Sequence, residues 1–450
     1  MAKAVKKNDV FWGYGAQAIN IGAELLLLPV ILYYLSSADV GLWFVFISLG
    51  GFAKLLEFGF LPTLARNTAY VYSGANQLTK ESVPLASRSG EINNKLLAEL
   101  IVSSRKIYRI VSAIAVVILL GIGTLYISTL LVPAQDENET IIAWLFFAAG
   151  HILTFYFGYV NGILQGRGDI SQSNKVIAIT RVSFVIFGLI AIFAGFGLLG
   201  LGVASLVSAG IGRIVAMRYF YLDKLSMRAV ELWSDEVSTD LVRILWHNAS
   251  RVGLVQLGGF LIQKGNILIA ASILGTEATA SYGLTLTILM AFSTVSSIIF
   301  QLNIPHLSAL QVSGDNRCIA SLYRKSLAAS IVLYLIAYSM LLFFAEEFLM
   351  LINSNVMLLP NDMLSILALV VLLEMNHTIA ATYLTTLNYV PFVKAALVSG
   401  VCVALLSFVL VTPLGVVGLI LAQGGVQLAY NNWKWPLIVY QSLFNKSKYA

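Results

Sequence analysis

Charged side chains interrupt several long apolar segments of this 450-residue sequence. A charge at the centre of a membrane helix costs about 2.5–3.5 kcal/mol on insertion scales, so such residues usually face a cavity, a partner or the interface. Arginine binds phosphate bidentately and keeps its charge, so a cationic cavity would suit an anionic ligand. Cations outnumber acids in these segments, which modestly favours an anionic ligand: Lys54, Arg181, Arg213, Arg251 and Lys264 against Glu24, Glu57 and Glu374.

The first apolar segment carries a polar face. Glu24 lies near its middle, and Gln17 and Asn20 share its face at helical spacing. A polar stripe of this length is poorly suited to lipid, so we expect it to line a cavity. The alternative is helix packing through hydrogen bonds.

Two lysines lie inside apolar segments. Lys54 has Glu57 three residues later, which indicates either an ion pair near the interface or a phosphate ligand tuned by the carboxylate. Lys264 lies deeper, where snorkelling to the interface is harder, so we expect it to line a cavity. Its polar neighbours are Gln256, Gln263 and Asn266.

The remaining charges divide by depth. Arg181, Arg213 and Arg251 lie about 9–12 Å from the cytoplasmic ends of their segments at 1.5 Å per residue. They either snorkel to the interface or form a cationic wall for a diphosphate. Glu374 is central in its segment with His377 at i+3, a pattern typical of a cation or proton site and also of a hydrogen-bonded packing pair.

Signals for enzymes are missing. The sequence has no P-loop, and the glycines of NGILQGRGD follow no predicted strand, so we expect no nucleotide cofactor. The four histidines do not cluster at metal-ligand spacing. We expect the protein not to be an enzyme. Without a nucleotide site, its energy would come from coupling to H+ or Na+.

Composition places the chain in a membrane. Hydrophobic residues make up 58% of the sequence and charged residues 11%, whereas soluble domains carry about a quarter charged residues. The apolar residues occur in blocks of about 20, the length that spans a bilayer core. Lipid offers no hydrogen-bond partners, so the blocks must be helices.

The sequence predicts an all-α protein of about twelve transmembrane helices. The predicted spans are Val10–Leu35, Val40–Leu61, Ile107–Val132, Ile141–Leu164, Lys175–Phe196, Leu201–Tyr221, Leu245–Ser272, Thr279–Asn303, Ser326–Met350, Met363–Leu387, Val393–Val411 and Leu414–Trp433.

Loop charges orient these spans. The connections on the side of the N-terminus hold thirteen Lys and Arg residues, the opposite connections hold none, and the positive-inside rule places both termini in the cytoplasm. The net charge of +6 is therefore a topology signal, and we expect no nucleic-acid partner.

A cytoplasmic linker divides the predicted spans into halves. Residues 222–244 have an amphipathic pattern and separate an N-terminal lobe, 1–221, from a C-terminal lobe, 245–450. The segments YLSSADVGL (Tyr34–Leu42) and ILGTEATASYGL (Ile273–Leu284) are similar and lie about 240 residues apart. Two repeated halves with a site between them are a recurrent transporter plan.

Four segments carry a resemblance to a known superfamily. They are LPVILYYLSSADVGLW (Leu28–Trp43), LLEFGF (Leu55–Phe60), NGILQGRGD (Asn161–Asp169) and ILGTEATASYGL (Ile273–Leu284). With them the chain resembles the multidrug/oligosaccharidyl-lipid/polysaccharide (MOP) exporters, and within them the Wzx-type O-antigen flippases.

The resemblance implies two six-helix lobes related by a pseudo-twofold axis around a central cavity that opens alternately to each side. It implies movement of undecaprenyl-diphosphate-linked oligosaccharide from the cytoplasmic to the periplasmic leaflet of a bacterial inner membrane, for lipopolysaccharide assembly. Partners would be this lipid-linked oligosaccharide, membrane lipids and other polysaccharide-assembly proteins. The alternatives are a cation-coupled multidrug exporter of the same superfamily and a membrane enzyme of polysaccharide assembly.

Overall fold

The computed structural model describes residues 7–57, 59–79, 92–131, 136–231, 239–313, 315–387, 389 and 391–444. Within helices a few side chains also fall outside the description, among them those of Glu24 and Arg251. All regular elements in these ranges are helical, as lipid requires of a polytopic chain.

The described residues of the first half form ten α-helices. The second predicted span is interrupted by a 3-10 turn, Leu55–Glu57, and the third contains a π-helical segment, Val117–Gly123. The helices are α1 Lys7–Tyr34, α2 Ser37–Lys54, α3 Phe60–Tyr72, α4 Asn94–Val116, α5 Thr124–Leu130, α6 Glu137–Tyr156, α7 Gly158–Gly166, α8 Ile170–Phe193, α9 Gly197–Tyr221 and α10 Lys224–Glu231.

In the second half, the part of the chain that the structure describes forms eight α-helices. The turn predicted at Thr412–Pro413 lies slightly later, at Gly415, whose φ of 58° suits glycine. The helices are α11 Thr239–Gln263, α12 Gly265–Leu274, α13 Thr276–Ser313, α14 Asn316–Leu351, α15 Asn361–Thr386, α16 Val393–Leu414, α17 Val416–Ala429 and α18 Asn431–Phe444.

Eleven helical segments in the described residues are long and apolar enough to cross a membrane. They correspond to the first eleven predicted spans. The twelfth, Leu414–Trp433, is divided by a break at Tyr430 into α17 and α18, of 14 residues each. The prediction of an all-α, multi-span membrane fold is confirmed.

Helices extend beyond several predicted spans, because the hydropathy of a segment marks only the part in lipid. The third span is preceded by further turns of α4, which begins at Asn94; the side chain of Asn93 accepts a hydrogen bond from the Leu96 amide at 3.1 Å as its N-cap. In the linker 222–244 the structure describes α10, Lys224–Glu231, and the first residues of α11, from Thr239; residues 232–238 lie outside the described part of the chain.

The chain divides into two compact units, here called the N-lobe (Met1–Leu35 and Phe46–Gln256) and the C-lobe (Ser36–Val45 and Leu257–Ala450). These bounds differ from those predicted from the linker. The start of α11 belongs to the N-lobe because Leu241, Leu245 and Ala249 are buried in its core.

The outer turn Ser36–Val45 belongs to the C-lobe for an equally local reason. A Cβ atom at Gly41 would collide with the backbone of Thr276, so this glycine permits close contact between α2 and α13. The Ser37 hydroxyl also donates a hydrogen bond to the carbonyl of Asn355.

Candidate functional site

Two predicted membrane spans are broken at the charged residues that the sequence singled out. The second span changes from α-helix to a 3-10 turn directly after Lys54, and the turn ends at Glu57. The seventh changes from α11 to α12 at Lys264, which has φ −118° and ψ −22°. Discontinuous membrane helices free backbone groups and are typical of transporter binding sites.

The N-lobe contains a charge cluster of Lys54, Glu57, Tyr108 and Arg213. The Tyr108 hydroxyl donates a hydrogen bond to Glu57 Oε1 at 2.7 Å, which joins α4 to the 3-10 turn. Glu57 also interacts electrostatically with Lys54 and with Arg213 of α9. Three of these four residues were predicted as site residues, and the fold brings them together.

His151 and Arg181 adjoin this cluster. The His151 ring packs on Phe147 with centroids 4.4 Å apart, and its Nδ1 lies 3.2 Å from the Phe147 carbonyl oxygen. The ring interacts electrostatically with both Arg181 and Lys54. The membrane part of the N-lobe thus carries three neighbouring cations and one acid in this region.

Arg213 is the least satisfied member of the charge cluster. Its residue surface is 7% exposed, and its Nε and Nη1 atoms are buried without a hydrogen-bond partner among the described residues. A buried polar group left unsatisfied typically costs about 1–3 kcal/mol. A fold tolerates such a cost where the group serves a ligand or a second conformation.

Removal of the Arg213 guanidinium should therefore stabilise the protein once its attraction to Glu57 is also removed. In a Glu57→Gln background, we expect Arg213→Met to raise the unfolding free energy by about 1–3 kcal/mol, the cost of the unsatisfied donors. Thermal unfolding in detergent would show a higher midpoint for Glu57→Gln/Arg213→Met than for Glu57→Gln. Arg218→Met on the exposed face of α9 is the matched control, and a lower midpoint for Arg213→Met would contradict an unsatisfied guanidinium.

The C-lobe contains a buried polar chain of Ser407, Asn266, Gln423 and Glu374. Ser407 Oγ donates to Asn266 Oδ1 at 2.7 Å, Asn266 Nδ2 to Gln423 Oε1 at 3.4 Å, and Gln423 Nε2 to Glu374 Oε1 at 2.9 Å. The four residues come from α16, α12, α17 and α15, and none exceeds 6% exposure.

Glu374 has neutral partners in this chain. No ion pair of Glu374 is present among the described residues, and the ion pairs around Arg167 do not include it. A buried carboxyl without a cation is held in its neutral form or takes up a cation from outside the protein. The arrangement therefore suits a residue that binds and releases H+ or Na+.

Of the two alternatives for Glu374 and His377, a packing pair between them is not formed, because each side chain has a separate contact. His377 Nδ1 lies 2.7 Å from Asn432 Oδ1 at the start of α18, whereas Glu374 contacts Gln423. Both partners come from other helices, which the i+3 spacing cannot reveal.

The other predicted site residues lie in both lobes. On α1, Gln17 is exposed and Asn20 is half-buried, and on the break between α11 and α12 Lys264 is half-buried. The side chains of Glu24 and Arg251 lie outside the described part of the chain. Cavity lining by these five residues stays a prediction.

The NGILQGRGD motif forms a third cluster, on the predicted cytoplasmic side of the N-lobe. Gly166 lies against α3, where a Cβ atom would collide with the Ala65 backbone, and Gly168 has a left-handed φ of 87°. Between these glycines, Arg167 turns inward and is 4% exposed.

Arg167 is held by bonds from three directions, and we call these contacts the Arg167 latch. Its Nε donates to Asp169 Oδ2 at 2.5 Å, and its Nη2 donates to the Tyr219 carbonyl at 2.6 Å. Its Nη1 donates to the Phe220 carbonyl and to Ser226 Oγ, both at 3.2 Å. The latch thus joins the loop after α7 to the end of α9 and to α10.

Asp223 completes the latch from the loop between α9 and α10. It accepts hydrogen bonds from Tyr72 Oη at 2.8 Å and from the Ser226 amide at 2.9 Å. Burial alone would raise the pKa of Asp223, but the bonds from Ser226 and Tyr72 and the nearby Arg167 outweigh it, so the pKa lies below its ordinary 3.8. The sequence alone indicates Arg167 only as a loop cation.

Comparisons of the chain with known proteins identify its fold. The sequence matches no protein-family model and no curated protein. An inward-facing multidrug resistance MATE family transporter of the MOP superfamily is 15% identical, with a TM-score of 0.72 and 96% of each chain covered.

Two further solved structures have the same fold. The MATE multidrug transporter DinF-BH in complex with rhodamine 6G is 15% identical, with a TM-score of 0.62 over 98% of this chain and 97% of that one. A MOP superfamily transporter from Pyrococcus furiosus, described as having a binding pocket of reverse polarity, is 14% identical, with a TM-score of 0.58 over 98% and 99%. The chain has the two-lobed fold of the MATE transporters of the MOP superfamily.

Proposed function

We propose that this protein is an ion-coupled exporter that carries its cargo across a membrane by alternating access. The observation that carries the proposal is the coincidence of broken membrane helices with charged side chains inside predicted spans, at Lys54–Glu57 and at Lys264, in a chain with a transporter fold. Bacterial inner membrane is the location that we propose with it.

Coupling would take place in the C-lobe. Glu374 is buried, contacts the neutral Gln423, and lies where α15, α16, α17 and α12 meet through the polar chain. Binding of H+ or Na+ to this carboxylate would remove its charge from the lobe. The charged and the neutralised carboxyl group are most stable in different surroundings. Ion binding would therefore shift the equilibrium between two conformations of the lobe.

Organic cations of the multidrug class are the cargo that the comparisons support. The solved structures with this fold include multidrug transporters, one of them in complex with rhodamine 6G. At 15% identity this support concerns the fold, so the cargo remains a proposal.

A lipid-linked oligosaccharide diphosphate, such as an O-antigen unit on an undecaprenyl carrier, is the second candidate cargo. The specific observation in its favour is Arg213, which has two buried guanidinium nitrogens without hydrogen-bond partners among the described residues. Arginine binds phosphate bidentately, and Lys54 and Arg181 lie in the same region of the N-lobe. Other polysaccharide-assembly proteins would be partners only in this case.

Vesicles containing the purified protein would test both cargo classes. We expect an imposed pH or sodium gradient to drive movement of rhodamine 6G if the cargo is an organic cation. Movement of a lipid-diphosphate oligosaccharide between leaflets, and none of rhodamine, would select the second cargo. If neither gradient moves either compound, the proposal of an ion-coupled exporter is contradicted.

A further inference from the structure

The C-lobe has an open groove that the proposed transport cycle does not use. It is lined by α14, by α18 and by Asn376 of α15, has a volume of about 590 Å³, and therefore has room for part of a lipid chain and its headgroup. The residues on which the argument depends are Arg324, Leu327, Trp433, Pro436, Leu437 and Tyr440.

One face of α18 forms a wall of this groove. Trp433, Leu437 and Tyr440 follow each other at helical spacing and are 47%, 41% and 62% exposed. In a membrane protein such a face contacts lipid rather than water. Trp and Tyr prefer the level of the headgroups, where a ring has an apolar body and a polar edge in suitable surroundings.

Arg324 lies at the matching level on α14. The helix begins at Asn316, and the segment that follows Lys325 is apolar, so the boundary between headgroups and hydrocarbon falls close to these two cations. Leu327 lies one turn further along the same wall, on the hydrocarbon side. A charged end and an apolar end therefore lie in one groove, in the order in which a lipid presents them.

The charged residues of α14 and α18 near the groove are positive. The described part of α18 contains Lys434 and no acid, and α14 contains Arg317, Arg324 and Lys325 and no acid before Glu346, more than 20 residues away. Arg324 Nε donates to the Ala320 carbonyl at 3.4 Å, which fixes the side chain on the helix surface beside the groove. A basic pocket between membrane helices at this level suits an anionic headgroup.

We propose that this groove binds an anionic phospholipid of the leaflet in which α14 begins, which the positive-inside rule assigns to the cytoplasmic side. The lipid phosphate contacts Arg324, the glycerol region lies against Trp433 and Tyr440, and a chain lies over Leu327 and Leu437. The groove lining includes no residue of the charge cluster or of the polar chain, so its occupancy can be tested without the proposed cargo.

Lipid exchange in mixed vesicles, followed by native mass spectrometry, tests the site. The full-length protein is equilibrated with phosphatidylglycerol and phosphatidylcholine, and the retained lipids are counted. We expect Arg324→Gln to reduce retained phosphatidylglycerol about fivefold, since a charge-assisted contact is lost. Lys325→Gln is the matched control, because Lys325 has the same charge and level but does not line the groove.

A second variant and two competing ligands distinguish a lipid groove from general attraction to a basic surface. Leu437→Trp keeps the charge and fills the groove, so it should also reduce retention. Equal losses in Arg324→Gln and Lys325→Gln would show general attraction to the surface and overturn the proposal. Displacement of the retained lipid by inorganic phosphate alone, or preference for an isoprenyl phosphate over phosphatidylglycerol, would overturn the phospholipid assignment.

Discussion

Replacing Glu374 with glutamine is expected to abolish gradient-driven export while leaving the fold intact. Glutamine has the shape of the acid and can keep a hydrogen bond with Gln423, which now contacts Glu374 Oε1 at 2.9 Å. It cannot exchange a proton and holds a cation poorly. We expect the gradient-dependent rate to fall about 100-fold or more, the size typical of losing an essential acid–base group.

The same variant should still bind cargo, because Glu374 lies in the C-lobe polar chain and the cluster with the unsatisfied arginine lies in the N-lobe. The measurement compares initial rates in vesicles with and without an imposed pH or sodium gradient. Asp362→Asn, on the exposed first turn of the same helix, is the matched control and should transport normally. A Glu374→Gln protein that responds to both gradients like the wild type would remove Glu374 from the coupling step.

The membrane spans were predictable because the bilayer core requires apolar side chains and a helical backbone along the whole of each span. Apolar blocks such as Val393–Val411 therefore reappear as helices such as α16, Val393–Leu414. Helix ends in water follow capping and tertiary contacts instead, so the early start of α4 at Asn94 is set by its N-cap rather than by hydropathy. The division of the twelfth span at Tyr430 had no signal in the hydropathy pattern either.

The charges of the candidate site were predictable, and their partners were not. A charge in an apolar block is visible in sequence, as Glu57 and Glu374 were. Their bonds join residues 51 and 49 positions away, Tyr108 and Gln423, and only the packing of the helices fixes these pairs. Polar residues inside apolar segments, such as Asn266, do indicate in the sequence where helices pack together, since membrane helices use amides to associate.

The Arg167 latch allows a prediction about stability. We expect Arg167→Met to destabilise the N-lobe by about 3–5 kcal/mol, the range for removing one partner of a buried ion pair. The loss combines the ion pair with Asp169, which is 6% exposed, and the hydrogen bonds to two backbone carbonyls at the end of α9. Arg167→Lys should recover little of it, because an ammonium group cannot reach all of these acceptors in fork geometry.

Acid should act on the same latch through Asp223. Its pKa is lowered below 3.8 in the folded protein, so its contribution to stability is present above that pH and is lost as the pH falls through the folded pKa. Asp223→Asn should therefore be less stable than the wild type at neutral pH, and the difference should narrow below about pH 4. Asp223 is partly buried and accepts hydrogen bonds from α10. We therefore expect α10 to become more exposed to solvent when this stability is lost in acid.

Hydrogen exchange in detergent would separate the latch from general surface effects. In Arg167→Met we expect faster exchange at the end of α9 and in α10, together with a lower unfolding midpoint. Arg66→Met, an exposed arginine on α3, should change neither. If Arg167→Met unfolds at the wild-type midpoint and α10 exchanges at the wild-type rate, Arg167 does not hold the linker to the N-lobe. Its buried position between two glycines would then not be explained by these contacts.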